Sequence, residues 1–262
     1  MEKFVYAIPS YNRVDKQVTL DYLSGMGVPK DKIWIFVQTE EDLGKYQKHA
    51  DRATIVMMPA TRGVAARNNI LNRLMGENIL MMDDDVKAIL SLNGGELKAF
   101  EKRMDIAFAF NRCFEQTRGL RSKVFGVYPV ANAFFMSNDV STRVAINTIF
   151  GFASDFTVRF DERFETKEDA EICGRILKHG SRVVRFNNLA VNADHRKDKN
   201  GYFDQWHHDE NVRSVRHLCA RFPDIFAPKK GQPWEVRVKL KDEKFQSKEF
   251  RNTAQQRTGA KA

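Results

Sequence analysis

ILMMDDDV, residues 79–86, runs four apolar residues straight into three carboxylates. Two unit charges about 4 Å apart repel by roughly 1 kcal/mol in water and about 4 kcal/mol near a protein surface. Asp83, Asp84 and Asp85 at the end of a buried strand are therefore costly unless cations lie among them. Residues of an extended chain alternate in direction, so Asp83 and Asp85 are expected to share a face and Asp84 to point away. A carboxylate pair on one face suits a divalent cation with oxygen ligands, Mg²⁺ or Mn²⁺, bridging to a diphosphate. The plainer alternative is a solvated acidic turn that caps the next helix. An EF-hand is excluded, because the Asp-x-Asp-x-Asp-Gly spacing and its distal Glu are missing.

Upstream, strand and helix alternate. KFVYAIPS (3–10), KIWIFVQT (32–39), ATIVMMP (53–59) and NILMM (78–82) read as strands. Val14, Val18 and Tyr22 recur at helical spacing, and Gly63 opens a helix with Ala66, Ile70, Leu71 and Leu74 on its apolar face. Fully apolar strands alternating with amphipathic helices predict a parallel sheet covered on both faces. In such sheets ligands bind beyond the carboxyl ends of the strands. Pro9, Ser10, Asn12 and Arg13 after the first strand and Gln38 after the second are candidates for a nucleobase and ribose, although Pro-Ser-x-Asn also favours a plain turn. Past residue 90 the pattern is less regular. Leu97, Phe100, Met104, Ala107 and Phe108 predict a helix, and KVFGVYP, NAFFMS and RVAINTIF predict strands of a mixed second half.

The 262 residues are long enough for one large α/β domain or two small ones, and 42% hydrophobic, too much for a disordered chain. No apolar run approaches the ~20 residues of a membrane span, and the N-terminus lacks a secretory pattern. Cys113, Cys173 and Cys219 form no CxxC pair, which points to a reducing cytoplasm. The formal net charge is +9, favouring a polyanionic partner. From residue 228 onward there are ten cations and four anions, so a domain over 1–227 followed by a basic tail over 228–262 is expected.

YAIPSYNR, RGVAARNNILNRL and ILMMDDDV, in that order, resemble the front half of a GT-A fold glycosyltransferase with its Asp-x-Asp motif. GFASDFTVRFDERFETKEDAEICGRILKHG (151–180) is similar to the acceptor-side segment of such enzymes, and VNADH (191–195) to the later strand that brings a metal-binding His. The series is most similar to the phage-encoded glycosyltransferases of modified DNA bases, related to the TET/JBP-associated group. The resemblance covers roughly residues 3–210. It implies an α/β fold of GT-A type: a Rossmann-like mixed sheet flanked by helices in a single catalytic domain. It implies a metal held by Asp85, His195 and Asp83, with Asp83 and Asp84 also at the donor. Arg62 and Arg67 flank a helix start that attracts phosphate, and Asn68 is implied at the donor sugar.

The same resemblance implies Asp169, with Glu168 second, as the base of an inverting enzyme. Thr166 and Asp169 also read as a near capping box, with no chemistry required. The implied reaction moves glucose from UDP-glucose to the hydroxyl of a hydroxymethylated pyrimidine in phage DNA, in the host cytoplasm. A base in duplex DNA must leave the stack to react; Phe134, Phe150, Phe152 and Trp206 are candidates for stacking on it. Alternatives are a polysaccharide or protein acceptor, nucleotidyl transfer by two metals, and a non-catalytic DNA-binding protein.

Overall fold

The computed structural model describes residues 2–59, 63–142, 144, 149–193, 205–240 and 243–245. In chain order its elements are β1 (Val5–Pro9), α1 (Val18–Gly25), β2 (Ile33–Val37), α2 (Glu40–Tyr46), β3 (Thr54–Met57), α3 (Gly63–Arg73) and β4 (Ile79–Met82). Then come β5 (Val86–Asn93), β6 (Glu96–Ala99), α4 (Arg103–Gly119), β7 (Val124–Tyr128), β8 (Val140–Thr142) and β9 (Ile149–Phe152). The chain continues through α5 (Glu168–Lys178), β10 (Val184–Ala193), α6 (Gln205–Arg221), β11 (Phe226–Lys229), β12 (Gln232–Val238) and β13 (Glu243–Phe245).

Eleven of these strands form one mixed sheet, ordered β13-β8-β10-β7-β9-β4-β1-β2-β3, with β5 and β6 branching from β10. β1, β2, β3 and β4 are mutually parallel, and β9 lies antiparallel between β4 and β7. β4 and β7 therefore run in the same direction. The apolar strands explain the layering. Tyr6 and Ile8 of β1 with Leu80 and Met82 of β4 enter one core layer, which Leu20 and Leu23 of α1 and Phe110 of α4 cover. Val5, Ala7, Ile79 and Met81 enter the other, beneath Ile70 of α3, Ile172 of α5 and Leu218 of α6. Both faces are buried, so the strands show no polar alternation.

Glycine at 151 is a packing requirement. A Cβ there would lie 2.0 Å from the Phe125 ring, which is itself boxed in by Phe114 and Phe186. Gly151→Ala is expected to lose about 2–3 kcal/mol, the upper part of the overpacking range. Urea unfolding checks this, with partial recovery expected in Gly151→Ala/Phe125→Leu; a neutral single substitution would contradict the close approach.

The second half departs from expectation at several points. NAFFMS is not a strand. The Asn132 side chain accepts from Phe134 N at 3.0 Å and starts a single 3-10 turn over Ala133–Phe135. Of RVAINTIF, Ile149 and Phe150 lie in β9, and residues 143 and 145–148 lie outside those described. Leu97 belongs to β6 rather than to a helix. α4 begins at Arg103, buries Ile106, Phe110, Cys113 and Phe114, and leaves Met104 and Phe108 exposed. The boundary at 228 falls inside β11. β11 and β12 form a hairpin whose Val236 and Val238 pack on the second core layer, and β13 adds an edge strand beside β8. Residues 246–262 lie outside those described.

Candidate active site

The three aspartates do not continue the strand. β4 ends at Met82, residues 84–85 turn, and β5 starts at Val86. The turn breaks the expected alternation and sends the carboxylates to two different cations. Asp83 Oδ1 accepts from Arg67 Nη2 of α3 at 2.8 Å. Asp84 Oδ1 accepts from Arg13 Nη1 at 2.8 Å, and Asp85 Oδ2 lies 3.8 Å from the same guanidinium nitrogen. Thus Asp84 and Asp85 share Arg13, and Asp83 stands apart with Arg67.

Thr19, at the start of α1, fixes this turn. Its hydroxyl donates to Asp83 O at 2.6 Å and accepts from Val86 N at 2.9 Å, while Thr19 N donates to Asp84 O at 3.2 Å. Ser10 follows β1 and is buried. Its hydroxyl donates to Asp84 Oδ2 at 2.7 Å, so the Tyr46 hydroxyl, 2.8 Å away, donates to Ser10. Gln17 Nε2 donates to Ser10 Oγ at 2.9 Å and to Arg13 O at 2.8 Å. Ser10, expected at the nucleobase or ribose, is hydrogen-bonded here to Asp84, Tyr46 and Gln17. Burial, reinforced by the neighbouring Asp83 and Asp85, raises the Asp84 carboxyl against the Ser10 bond and Arg13. Gln17, Thr19 and Tyr46 were not candidates from the sequence: isolated polar residues on amphipathic helices give no signal of their own.

Pro9 is the last residue of β1 and half-buried, Gln38 is half-buried after β2, and Asn12 is exposed with φ 53°. Asn68 was expected at the donor sugar. Its amide is spent on the segment after β9: Nδ2 donates to Phe160 O at 3.1 Å and Glu162 Oε1 at 2.9 Å, and Oδ1 accepts from Phe160 N at 2.8 Å. Asn68 therefore holds the segment at Phe160 and Glu162 against α3. Arg62 and His195 lie outside the described residues.

Arg67 joins the two halves of the site. Besides Asp83, its Nε lies 3.5 Å from Glu168 Oε1 at the start of α5. Burial works against its charge, but Asp83, Glu168 and Asp169 together hold it protonated above the ordinary arginine value. Glu168 and Asp169 are half-buried in the first turn of α5. Burial raises both carboxyls: Arg67 opposes the rise at Glu168, and Glu168 adds to it at Asp169, which is pushed up to about 7. The expected capping box is not formed. Asp169 Oδ1 accepts from its neighbour Ala170 N at 2.7 Å, while Thr166 Oγ1 is buried without a hydrogen bond among the described residues.

Lys167 precedes the pair in the left-handed region, φ 62°, which costs a side-chain-bearing residue about 1–2 kcal/mol. Its Nζ lies 3.5 Å from Glu235 Oε2 of β12, so the hairpin helps hold the turn. Behind it, the fully buried Glu171 pairs with Arg175 at 2.9 Å and Arg221 at 3.1 Å, and Arg221 reaches Asp161 at 2.6 Å. This network ties α5 to α6. Phe150 and Phe152, candidates for base stacking, are core residues, whereas Phe134 is 86% exposed. The Trp206 side chain lies outside the described residues.

Among the described residues no group of three His, Cys, Asp or Glu forms a metal cluster. No helix among them is long and apolar enough to cross a membrane. The family model of the TET-associated glycosyltransferases matches residues 5–201. No curated protein matches the sequence. Among solved structures, a mycobacterial protein aligns with TM-score 0.52 and 7% identity over 94% of this chain and 84% of that one. CMP:2-keto-3-deoxy-manno-octonic acid synthetase in complex with CTP aligns with TM-score 0.44 and 11% identity over 84% and 99%. At 7% identity the likeness to the mycobacterial protein concerns the fold alone.

Proposed function

The chain belongs to the TET-associated glycosyltransferase family, and from that premise we propose that it moves glucose from UDP-glucose to a hydroxymethylated pyrimidine in phage DNA with inversion. The observation that carries this reading is the arrangement around Arg67. One guanidinium contacts Asp83, at the end of the donor-side strand, and Glu168, beside a carboxyl raised to about 7. A carboxylate with that value is half ionised near neutrality, which suits a general base. Asp169 takes the proton of the acceptor hydroxyl as its oxygen attacks the anomeric carbon. Glu168 stays beside it, and Arg67 limits the repulsion between the two acids. The net charge of +9 supports a polyanionic acceptor.

A divalent cation fits the donor set. Asp85 lies in the turn and Asp83 just before it, each beside a different arginine, and both offer hard oxygens; Mg²⁺ is commonly held by one or two carboxylates plus phosphate oxygens and water. Asp83, Asp85 and, beyond the described residues, His195 would hold it. When bound it supplies charge neutralisation for the departing diphosphate. Arg13 and the exposed Asn12 line the nucleotide end, while Pro9 and Gln38 border it.

Asp85→Ala should abolish Mn²⁺-dependent binding of UDP and leave the fold intact, since Asp84 keeps Arg13 and Ser10. Calorimetry with UDP, with and without Mn²⁺, checks it; undiminished metal-dependent binding would remove Asp85 from the site. The reaction itself is tested by mass spectrometry of nucleosides from modified DNA incubated with a panel of nucleotide sugars. Labelling of an oligosaccharide or protein while every DNA stays bare would move the reading to another acceptor. Release of pyrophosphate instead of a nucleoside diphosphate would indicate nucleotidyl transfer.

A further inference from the structure

Val130, Phe134 and Phe135 are 56%, 86% and 61% exposed, and the two rings meet edge to face at 5.0 Å. A fold with this much core leaves two adjacent phenylalanines in water only at a cost, which makes the loop a contact surface for something apolar. Its position follows from register. Phe150 of β9 pairs with both Met81 of β4 and Gly126 of β7, and β4 and β7 are parallel. Tyr128 at the end of β7 is therefore level with Asp83, two strand spacings or roughly 10 Å away. The aromatic loop springs from the catalytic rim, on the acceptor side of the aspartates.

The adjoining strands lead the chain to the same rim. β13 runs antiparallel to β8 and so parallel to β10 and β7. It ends at Phe245, paired with Val140, where the loop bearing Phe134 and Phe135 enters β8. The chain beyond carries Lys248, Arg251, Arg257 and Lys261 against Glu249 alone. Two exposed rings on a loop that leaves this rim, in a chain of net charge +9, match a nucleic acid, which presents apolar base faces between anionic backbones.

We propose that Phe134 and Phe135 form a wedge that enters duplex DNA in the space vacated by the acceptor base, while that base reaches Asp169. This rests on the DNA reading of the acceptor. Unstacking a base costs a few kcal/mol, and an apolar side chain placed in the gap offsets part of it. The wedge matters only where a base must be displaced. Single-stranded or mismatched DNA, already open, has little need of it.

The test compares wild type with Phe134→Ala/Phe135→Ala on one hydroxymethylated base, placed in a matched duplex and in an unpaired bubble of the same sequence. Replacing a stacking ring by alanine costs about 1–3 kcal/mol per base, so kcat/KM on the duplex should fall about 5–150-fold. The bubble should lose less than about 5-fold, below the smallest of those effects, and UDP-glucose hydrolysis without DNA should not change. Phe134→Leu/Phe135→Leu should recover part of the duplex activity. A fluorescent base opposite the target should brighten with wild type and stay quenched with the alanine variant. Equal rates on the duplex, or equal losses on duplex and bubble, would overturn the wedge. If wild type glycosylates neither DNA, the acceptor reading itself fails, and the wedge with it.

Discussion

Asp169→Asn is expected to lower kcat by about 10²–10⁴-fold, roughly 3–5 kcal/mol of barrier, with UDP affinity nearly unchanged. Asparagine keeps the shape and the acceptor for Ala170 N but cannot take a proton. The wild-type rate should rise with pH and level off above about 7, the value to which burial and Glu168 push this carboxyl; the variant's residual rate should lack that limb. Stability should move the other way. The unfolded chain loses this proton near 3.8 and the folded protein near 7, so folding takes up a proton between those values and stability falls as pH rises through them. Asp169→Asn should therefore melt higher than wild type at pH 8, by on the order of 1–2 kcal/mol after discounting for its partial exposure. At pH 3, where both proteins are neutral at this position, the two should coincide. A variant with near-normal turnover would leave Asp169 with a structural role and make Glu168 the next base to test.

The second large effect belongs to Arg67→Met, which keeps most of the volume and removes the charge. Asp83, Glu168 and Asp169 would lose their shared cation. Removing one partner of a buried pair costs about 3–5 kcal/mol. Asp83 and Glu168 keep 28% and 21% of their side-chain exposure, so about 2–4 kcal/mol is the better expectation. The loss should shrink at pH 5, because Glu168 and Asp169 have raised carboxyls that neutralise instead of repelling. Urea unfolding at both pH values checks this; an equal loss at the two would mean that packing, not charge, makes Arg67 matter. Turnover should fall as well, since donor and acceptor groups would no longer share a fixed reference point.

The sheet was legible where burial on both faces left unbroken apolar runs: β1, β2, β3 and β4 each lie inside the strands expected from sequence. The places of the acidic triplet after β4 and of Glu168 and Asp169 at the start of α5 were legible because apolar runs and charge meet there. What each contacts was not. Alternation between Asp83 and Asp85 assumed an extended chain, and the turn at 84–85 redirected both. Asn68 looks like a ligand contact in sequence, yet it satisfies backbone groups of a segment some ninety residues away. β5 and β6 were missed because their outward positions mix polar and apolar residues, and NAFFMS looked strand-like because aromatic residues favour strands. Exposure of Phe134 depends on the 3-10 turn begun by Asn132, which a run of aromatics does not announce.

The hairpin of β11 and β12 bears on the order in which this enzyme can be assembled. The family match ends at residue 201, but the second core layer does not: Gly174 of α5 faces the rings of Phe222 and Phe226. A nascent chain released only to residue 201 would expose that face, leave Glu171 without Arg221, and leave Lys167 without Glu235. These pairings join residues far apart in sequence, the kind that form late and slow folding. The loop presenting Glu168 and Asp169 is thus among the last parts of the molecule to acquire its shape. Synthesis has to pass residue 235 before the contacts that hold this loop can all form.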